Sequence, residues 1–225
     1  MIYRTIKKLE DIILSLIIII FLGPIFILVL LLSFILQGRP IFYISKRIIK
    51  PNKTITILKL RTMVKDALHP KYDLEGKYMI KGFLDIPLDS EVYTPLGRFL
   101  EKIQFVELPQ VLNILFGSLS FIGNRPLPEK NVMILKNSFP NQWKKRFDSP
   151  CGMTGIAQVV GKFNLTPEKR LELESLYSEV YNKGNVLKAD AYIFFSTAIL
   201  LFVREAVAYR SYDSAKKMLI SCLHK

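Results

Sequence analysis

Histidine, cysteine and tryptophan are scarce in this chain: two, two and one among 225 residues. His69 and His224 are too few for a histidine-rich metal centre or a Ser-His-Asp relay, and both read as surface residues. Cys151 and Cys222, far apart in sequence, build neither a disulfide framework nor a zinc site, which fits a reducing compartment. Acid is also short, with 19 Asp and Glu against 32 Lys and Arg, a net charge of +13. That surplus favours anionic partners, whether phospholipid headgroups, nucleic acid or phosphorylated substrates, and charge alone does not choose among them. No helix-turn-helix, zinc-finger or RNP-like pattern accompanies it, so nucleic acid is not an expected partner. There is no internal repeat.

Apolar residues are plentiful, at 50% of the chain, and one block concentrates them. Ile12 to Leu36 carries no charge and is long enough to cross a bilayer at about 1.5 Å per helical residue. The run is too long for a cleaved signal peptide, and no small-x-small cleavage site follows it. Gly23 and Pro24 fall at its middle, where proline removes a backbone donor and crowds the preceding turn. Both flanks are basic: Arg4, Lys7 and Lys8 before, Arg39, Lys46, Arg47 and Lys50 after. Basic flanks stay on the cytoplasmic side. Satisfying both calls for a re-entrant helical hairpin; the plainer alternative is a kinked transmembrane anchor. A second apolar run, Ala191 to Val203, is too short to span. It ends at Arg204-Glu205 and fits an amphipathic helix at the interface or against the core.

Elsewhere the pattern is that of a folded domain. Tyr43–Ile49 and Thr54–Leu60 are β-branched and extended, and Pro51-Asn52 supplies a turn between them. Leu68 to Pro87 has no sustained period and reads as a loop with short helical turns. Thr94-Pro95 opens a helix running to about Phe105. Leu108, Val111, Leu112 and Leu115 recur at helical spacing up to Gly117. Glu129 to Phe139 and Pro167 to Tyr181 are further helices, the latter opened by Thr166-Pro167 and followed by acids. The expected fold is α-rich α+β. Residues 1–37 form a membrane-inserted, re-entrant, proline-broken helix; residues 38–225 form one cytosolic domain with a small β-hairpin and interfacial helices.

Four segments resemble the bacterial sugar transferase family, the monotopic phosphoglycosyl transferases. The first runs from Gly38-Arg39-Pro40-Ile41-Phe42 through Lys46-Arg47-Ile48 to Lys59-Leu60-Arg61-Thr62-Met63. The second is Thr94-Pro95-Leu96-Gly97-Arg98-Phe99-Leu100. The third is Glu107-Leu108-Pro109-Gln110-Val111-Leu112-Asn113, continuing through Gly117 to Gly123-Asn124-Arg125-Pro126-Leu127. The fourth is Gly152-Met153-Thr154-Gly155-Ile156-Ala157-Gln158-Val159. Their order over nearly the whole chain makes the resemblance specific.

The resemblance implies transfer of a sugar 1-phosphate from a nucleotide diphosphate sugar, usually a UDP-sugar, to undecaprenyl phosphate, with Mg2+. The setting it implies is the cytoplasmic face of the bacterial inner membrane, in surface-polysaccharide or glycoconjugate synthesis. The ligands are then the lipid carrier, the nucleotide sugar and membrane lipid. A second copy of the chain or other assembly enzymes are further partner classes. In the family an Asp-Glu pair is central: the aspartate attacks phosphorus and the glutamate holds the metal. By resemblance Glu107 is the catalytic, metal-holding carboxylate. Lys59 and Arg125 are phosphate-side contacts, with Arg61, Arg98 and Gln158 also retained. The plainer readings are a solvated strand face for Lys59 and Arg61, a helix N-terminal acid for Glu107, and a structural amide for Gln158.

Four site positions depart from the family. Val106 stands where the aspartate belongs, and an isopropyl group has no lone pair to attack with. Glu101 replaces a phosphate-binding arginine, Ser118 an acid, and Asn124 the proline before Arg125. Three readings follow. One is an active transferase by another route, through Glu107 itself or direct attack by the acceptor phosphate; Glu101, about 140° from residue 106 on a helix, is poorly placed to substitute. The second is an inactive homologue acting as a partner or regulator in polysaccharide assembly. The third is a basic membrane anchor unrelated to sugars.

Overall fold

The computed structural model describes residues 2–80, 83–161, 164–203 and 209–224. Arg204-Glu205, expected to end the second apolar run, lie outside them. The chain forms two compact units, one of residues 1–14, 46–55 and 113–225, the other of residues 15–45 and 56–112. The first helix contributes to both units, as does the hairpin that follows it.

Helix α1 (Ile2–Gln37) is continuous and contains Pro24. Apolar helices tolerate such a proline when the freed carbonyl finds another partner. Tyr3–Gln37 is long and apolar enough to cross a membrane, and only 6% of its most apolar stretch is buried by protein. Gly38, at φ +67°, ends the helix by donating its N–H to the Phe34 carbonyl at 3.0 Å, a left-handed cap that suits glycine. The expected hairpin is present as β1 (Phe42–Lys50) and β2 (Lys53–Leu60).

In the second unit the Leu68–Pro87 stretch holds a 3-10 turn (Pro70–Tyr72), α2 (Leu74–Tyr78) and a minimal antiparallel pair, β3 (Met79–Ile80) and β4 (Phe83–Leu84). Two-residue strands are too short to leave a period in the sequence. Helix α3 (Pro95–Lys102) is capped by Thr94, whose Oγ1 accepts the Gly97 N–H at 2.9 Å. Gly97 is required by proximity: a Cβ there would sit 1.9 Å from the Thr62 carbonyl oxygen. The core of this part is Leu60, Leu100 and Val106, packed with Phe26, Val29 and Leu30 of α1.

Helix α3 stops short of the expected Phe105 because Gln104 turns left-handed, at φ 57°. A 3-10 helix, Phe105–Gln110, follows, and then α4 (Val111–Leu115). The helix expected from Leu108 thus becomes α-helical only at Val111. Pro109 lacks the N–H that an α-helical turn would use, and the tighter 3-10 turn accommodates it.

In the first unit, parallel strands β5 (Ser120–Ile122) and β6 (Gly152–Thr154) pair Ser120 with Gly152 and Ile122 with Thr154. The motif glycines allow this approach. A Cβ on Gly152 would lie 2.1 Å from the Gly123 nitrogen, and one on Gly155 2.0 Å from the Gly123 carbonyl oxygen. Helix α5 (Glu129–Ser138) and a 3-10 helix (Trp143–Phe147) lie between these strands in sequence; α6 (Ile156–Val160) follows them.

Helix α7 (Pro167–Lys183) is the axis of the first unit's core. Its Leu173, Tyr177 and Val180 are fully buried among residues of α6, α8 (Val186–Val203) and α9 (Tyr212–Leu223). Helix α8 begins before the apolar run that announced it, and it is not amphipathic. Val186, Ala189 and Ile193 are buried, while Phe194, Phe195, Ile199, Leu201 and Val203 are exposed. An apolar stripe on the core side is matched by apolar residues on the open side, as in helices that meet lipid or a partner.

Candidate functional site

In the second unit, β2 carries Lys59 and the 3-10 helix carries Glu107. The left-handed Gln104 redirects the chain after α3 so that the two meet, Lys59 Nζ donating to Glu107 Oε1 at 2.6 Å. Their side chains keep 21% and 14% of their exposure, so the pair is half-buried and still reachable. A charge-assisted bond in such a setting is stronger than an exposed ion pair. Val106, one residue earlier, points the other way. It is 2% exposed and belongs to the apolar cluster with Leu60 and Leu100.

Arg61 is occupied with the backbone. Its Nε donates to Pro40 O at 2.6 Å, Nη1 to Met63 O at 3.0 Å, and Nη2 to Gln37 O at 2.6 Å and Gly38 O at 3.0 Å. It gathers the carbonyls at the C-terminal end of α1, where a cation also suits the helix dipole. Thr94 Oγ1 ties the same corner by donating to Gln37 Oε1 at 2.8 Å. Arg98, on α3, is exposed and donates to the Ser90 carbonyl at 3.2 Å. Glu101 accepts the Thr62 hydroxyl at 3.1 Å. It also helps hold the Tyr93 phenol at about 12, behind burial, which is the larger cause.

In the first unit, Arg125 and Gln158 converge on one backbone oxygen. Arg125 Nη1 and Gln158 Nε2 donate to Met153 O at 3.1 and 2.8 Å. The Gln158 Oε1 is buried and has no protein partner. Ser118 closes α4, its N–H and hydroxyl reaching Asn113 O at 2.9 and 3.0 Å. Asn124 is 1% exposed. Its Nδ2 lies 2.8 Å from Arg146 O and 2.9 Å from Glu174 O, contacts a proline could not make.

Two buried charge clusters have no counterpart in the sequence reading. Arg146 and Arg170 both bond Glu174, at 2.7 and 3.1 Å. Burial works against the Glu174 carboxylate, and the two guanidiniums overcome it, holding the group below the usual range. Arg170 and Glu174 stand four apart on α7, a visible helical pair; Arg146 carries no such signal. Lys7 of α1 bonds Asp190 of α8, which also accepts the Tyr177 hydroxyl at 2.7 Å. Burial pushes the Asp190 carboxyl up, with Lys7 opposing it. Cys151, buried, has its thiol pushed up to about 11, mainly by burial, which makes it a poor nucleophile.

Among the described residues no three His, Cys, Asp or Glu side chains gather to hold a metal. The Glu107 carboxylate, bonded to Lys59, offers a single acidic ligand. That fits magnesium in its usual mode, bound by one or two carboxylates with waters and substrate phosphates completing the shell.

The four motif segments thus build the Lys59–Glu107 pair in one unit and the Arg125–Met153–Gln158 corner in the other. Residues 2–204 match the bacterial sugar transferase family. Exopolysaccharide production protein ExoY of Sinorhizobium fredii is 27% identical over 203 residues, 85% of this chain and 83% of that protein. The uncharacterized sugar transferase EpsL of Bacillus subtilis is 31% identical over 140 residues, 62% of this chain and 61% of that one. The UDP-glucose:undecaprenyl-phosphate glucose-1-phosphate transferase of Klebsiella pneumoniae is 28% identical over 205 residues, 89% of this chain but 41% of the longer enzyme. With the match running through all four motif segments, the chain belongs to the bacterial sugar transferase family.

Proposed function

We propose that this protein works on the family's ligands, a nucleotide diphosphate sugar and undecaprenyl phosphate, in building surface polysaccharide or glycoconjugate at the cytoplasmic face of the bacterial inner membrane. It keeps the cationic and carboxylate groups that handle phosphate, Lys59, Arg98, Glu107 and Arg125, and lacks the covalent aspartyl step. The observation that carries this reading is the sequence-adjacent contrast at the 3-10 helix. Glu107 is reachable and paired with Lys59, while the Val106 side chain is sunk in an apolar cluster. Nothing at 106 can form the phosphosugar adduct, so the protein serves as a binding partner or regulator in assembly with little turnover of its own.

A second reading keeps turnover. It is favoured by the accessibility of Glu107 beside Lys59: an oxygen of the acceptor phosphate would attack the sugar-bearing phosphorus directly, forming the new P–O bond as the bond to the departing UMP breaks. Magnesium held by Glu107 and the diphosphate would neutralise phosphate charge there. Lys59 would hold the diphosphate oxygens and orient the reacting phosphorus. Arg61 would keep the end of α1 in place.

Incubation of the detergent-purified protein with Mg2+, undecaprenyl phosphate and a panel of UDP-sugars separates the two. UDP-sugar binding without UMP release is expected. UMP release by the wild type would overturn the regulatory reading in favour of the second. Absence of any nucleotide-sugar binding would overturn both.

The membrane arrangement belongs to the same proposal: α1 enters and leaves by the cytoplasmic face, bending at Gly23-Pro24. Basic residues on both flanks of the apolar run support this, Arg4, Lys7 and Lys8 before it and Arg39, Lys46, Arg47 and Lys50 after it. Lys8 and Lys46 are exposed, and both native cysteines are buried. Lys8→Cys and Lys46→Cys, made singly, should both resist an impermeant maleimide applied to intact cells with a permeable outer envelope. Labelling of only one would mean a full crossing.

A further inference from the structure

The surplus of positive charge is not spent on the candidate site alone. The first unit has a groove of about 1040 Å³ where the β1–β2 turn faces the end of α5 and the 3-10 helix after it, with Lys50, Lys53, Lys136, Lys144 and Trp143 among its walls. Among the described residues no carboxylate lines it. The indole of Trp143 is buried, edge-on to Phe147 with ring centres 6.0 Å apart. It also gathers two of the ammonium groups, Lys136 Nζ at 6.0 Å and Lys144 Nζ at 5.9 Å from its ring centre. Asn52 and Asn137 add neutral amide donors to the same walls.

Four ammoniums around one concavity repel one another, and a multivalent anion removes that repulsion while accepting hydrogen bonds from lysine and asparagine together. The aromatic floor fixes where two of the cations stand. Apart from Pro51 and Pro140, the walls offer no exposed apolar side chain to receive an acyl chain. That favours a soluble ligand over a lipid headgroup. We propose that this groove is a binding site for a soluble diphosphate- or polyphosphate-bearing ligand, separate from the Lys59–Glu107 pair and independent of whether the protein turns over sugar phosphate.

Trp143 is the single tryptophan of the chain, so all of its tryptophan emission comes from a side chain in the wall of this groove. The full-length protein, in zwitterionic nanodiscs, is titrated with inorganic pyrophosphate at constant ionic strength. The expected result is a saturable change in emission, with pyrophosphate protecting Lys53 and Lys144 from acylation in the same samples. The double variant Lys53→Ala/Lys144→Ala should weaken the midpoint by roughly fivefold, the loss of two exposed charge contacts. Lys59→Ala should leave the response in place. The proposal fails if the emission does not respond, if sodium chloride reproduces the change, if the double variant titrates like wild type, or if only phosphatidylglycerol in the disc produces the response.

Discussion

Replacing Val106 with aspartate places a carboxyl where the structure has an apolar pocket. The loss of valine burial is worth about 1.5 kcal/mol. A carboxyl left without a partner among Leu60, Leu100 and the α1 side chains adds about 1–3 kcal/mol. The sum, roughly 2.5–4.5 kcal/mol, is a large share of the stability of an ordinary domain. It should lower the melting temperature by roughly 10 °C for a chain of this size. Val106→Ala, which loses the methyls without adding the acid, should cost about 2 kcal/mol, and the difference isolates the carboxyl. The sign with pH is fixed. A buried acid has its folded pKa raised, so Val106→Asp should lose stability relative to Val106→Ala as pH rises above about 4, by at most about 1.4 kcal/mol per unit, until the folded carboxyl ionises. Thermal melts of both variants in detergent from pH 4 to 8 measure this. An aspartate variant as stable as wild type, with a flat pH dependence, would refute the claim that an apolar pocket closes over residue 106.

Other consequences can be checked separately. Glu174→Gln leaves the Arg146 and Arg170 guanidiniums buried against each other and should destabilise by about 3–5 kcal/mol, read by chemical denaturation. Because the Glu174 carboxylate is held below its usual range, its contribution in the wild type is present above the ordinary glutamate value of 4.5 and is lost as pH falls below it. The acid limb of a stability–pH profile should therefore flatten in the variant. A double-mutant cycle of Lys59→Ala and Glu107→Gln should return a coupling of about 1–2 kcal/mol, as expected for a half-buried pair; a value near zero would mean the 2.6 Å bond is not maintained in solution. Cys151 and Cys222, both buried, should be inert to iodoacetamide at pH 8 in the folded protein and alkylated in denaturant, as read by mass spectrometry.

Sequence periodicity found the elements that local physics fixes. The hairpin follows from β-branched runs around Pro51-Asn52, and α3 and α7 begin at Thr-Pro pairs whose threonines do cap them, Thr94 at 2.9 Å and Thr166 at 3.3 Å. It failed where long-range contact decides. The 3-10 helix at Phe105–Gln110 depends on a left-handed Gln104 that no composition announces. The two-residue strands β3 and β4 exist only because each has the other. By sequence, helix α8 is open between the interface and the core; it packs on the core through a stripe set by α7 and α9, and it is apolar all round rather than amphipathic.

The candidate site divides along the same line. The cationic and carboxylate side chains on offer, and a valine rather than an acid at 106, are plain in the linear order of the four motifs. That Lys59 reaches Glu107, that Arg61 is consumed by the backbone carbonyls at the end of α1, and that Asn124 joins a buried network are not. The sequence by itself determined the membrane-length helix, the starts of the capped helices and the chemistry on offer, because these depend on neighbours within one or two turns. Only the tertiary structure decided which charges meet and which side chain at residues 106 and 107 faces the core, because a turn in backbone direction at Gln104 assigns those faces, and its conformation is selected by packing between segments distant in the chain.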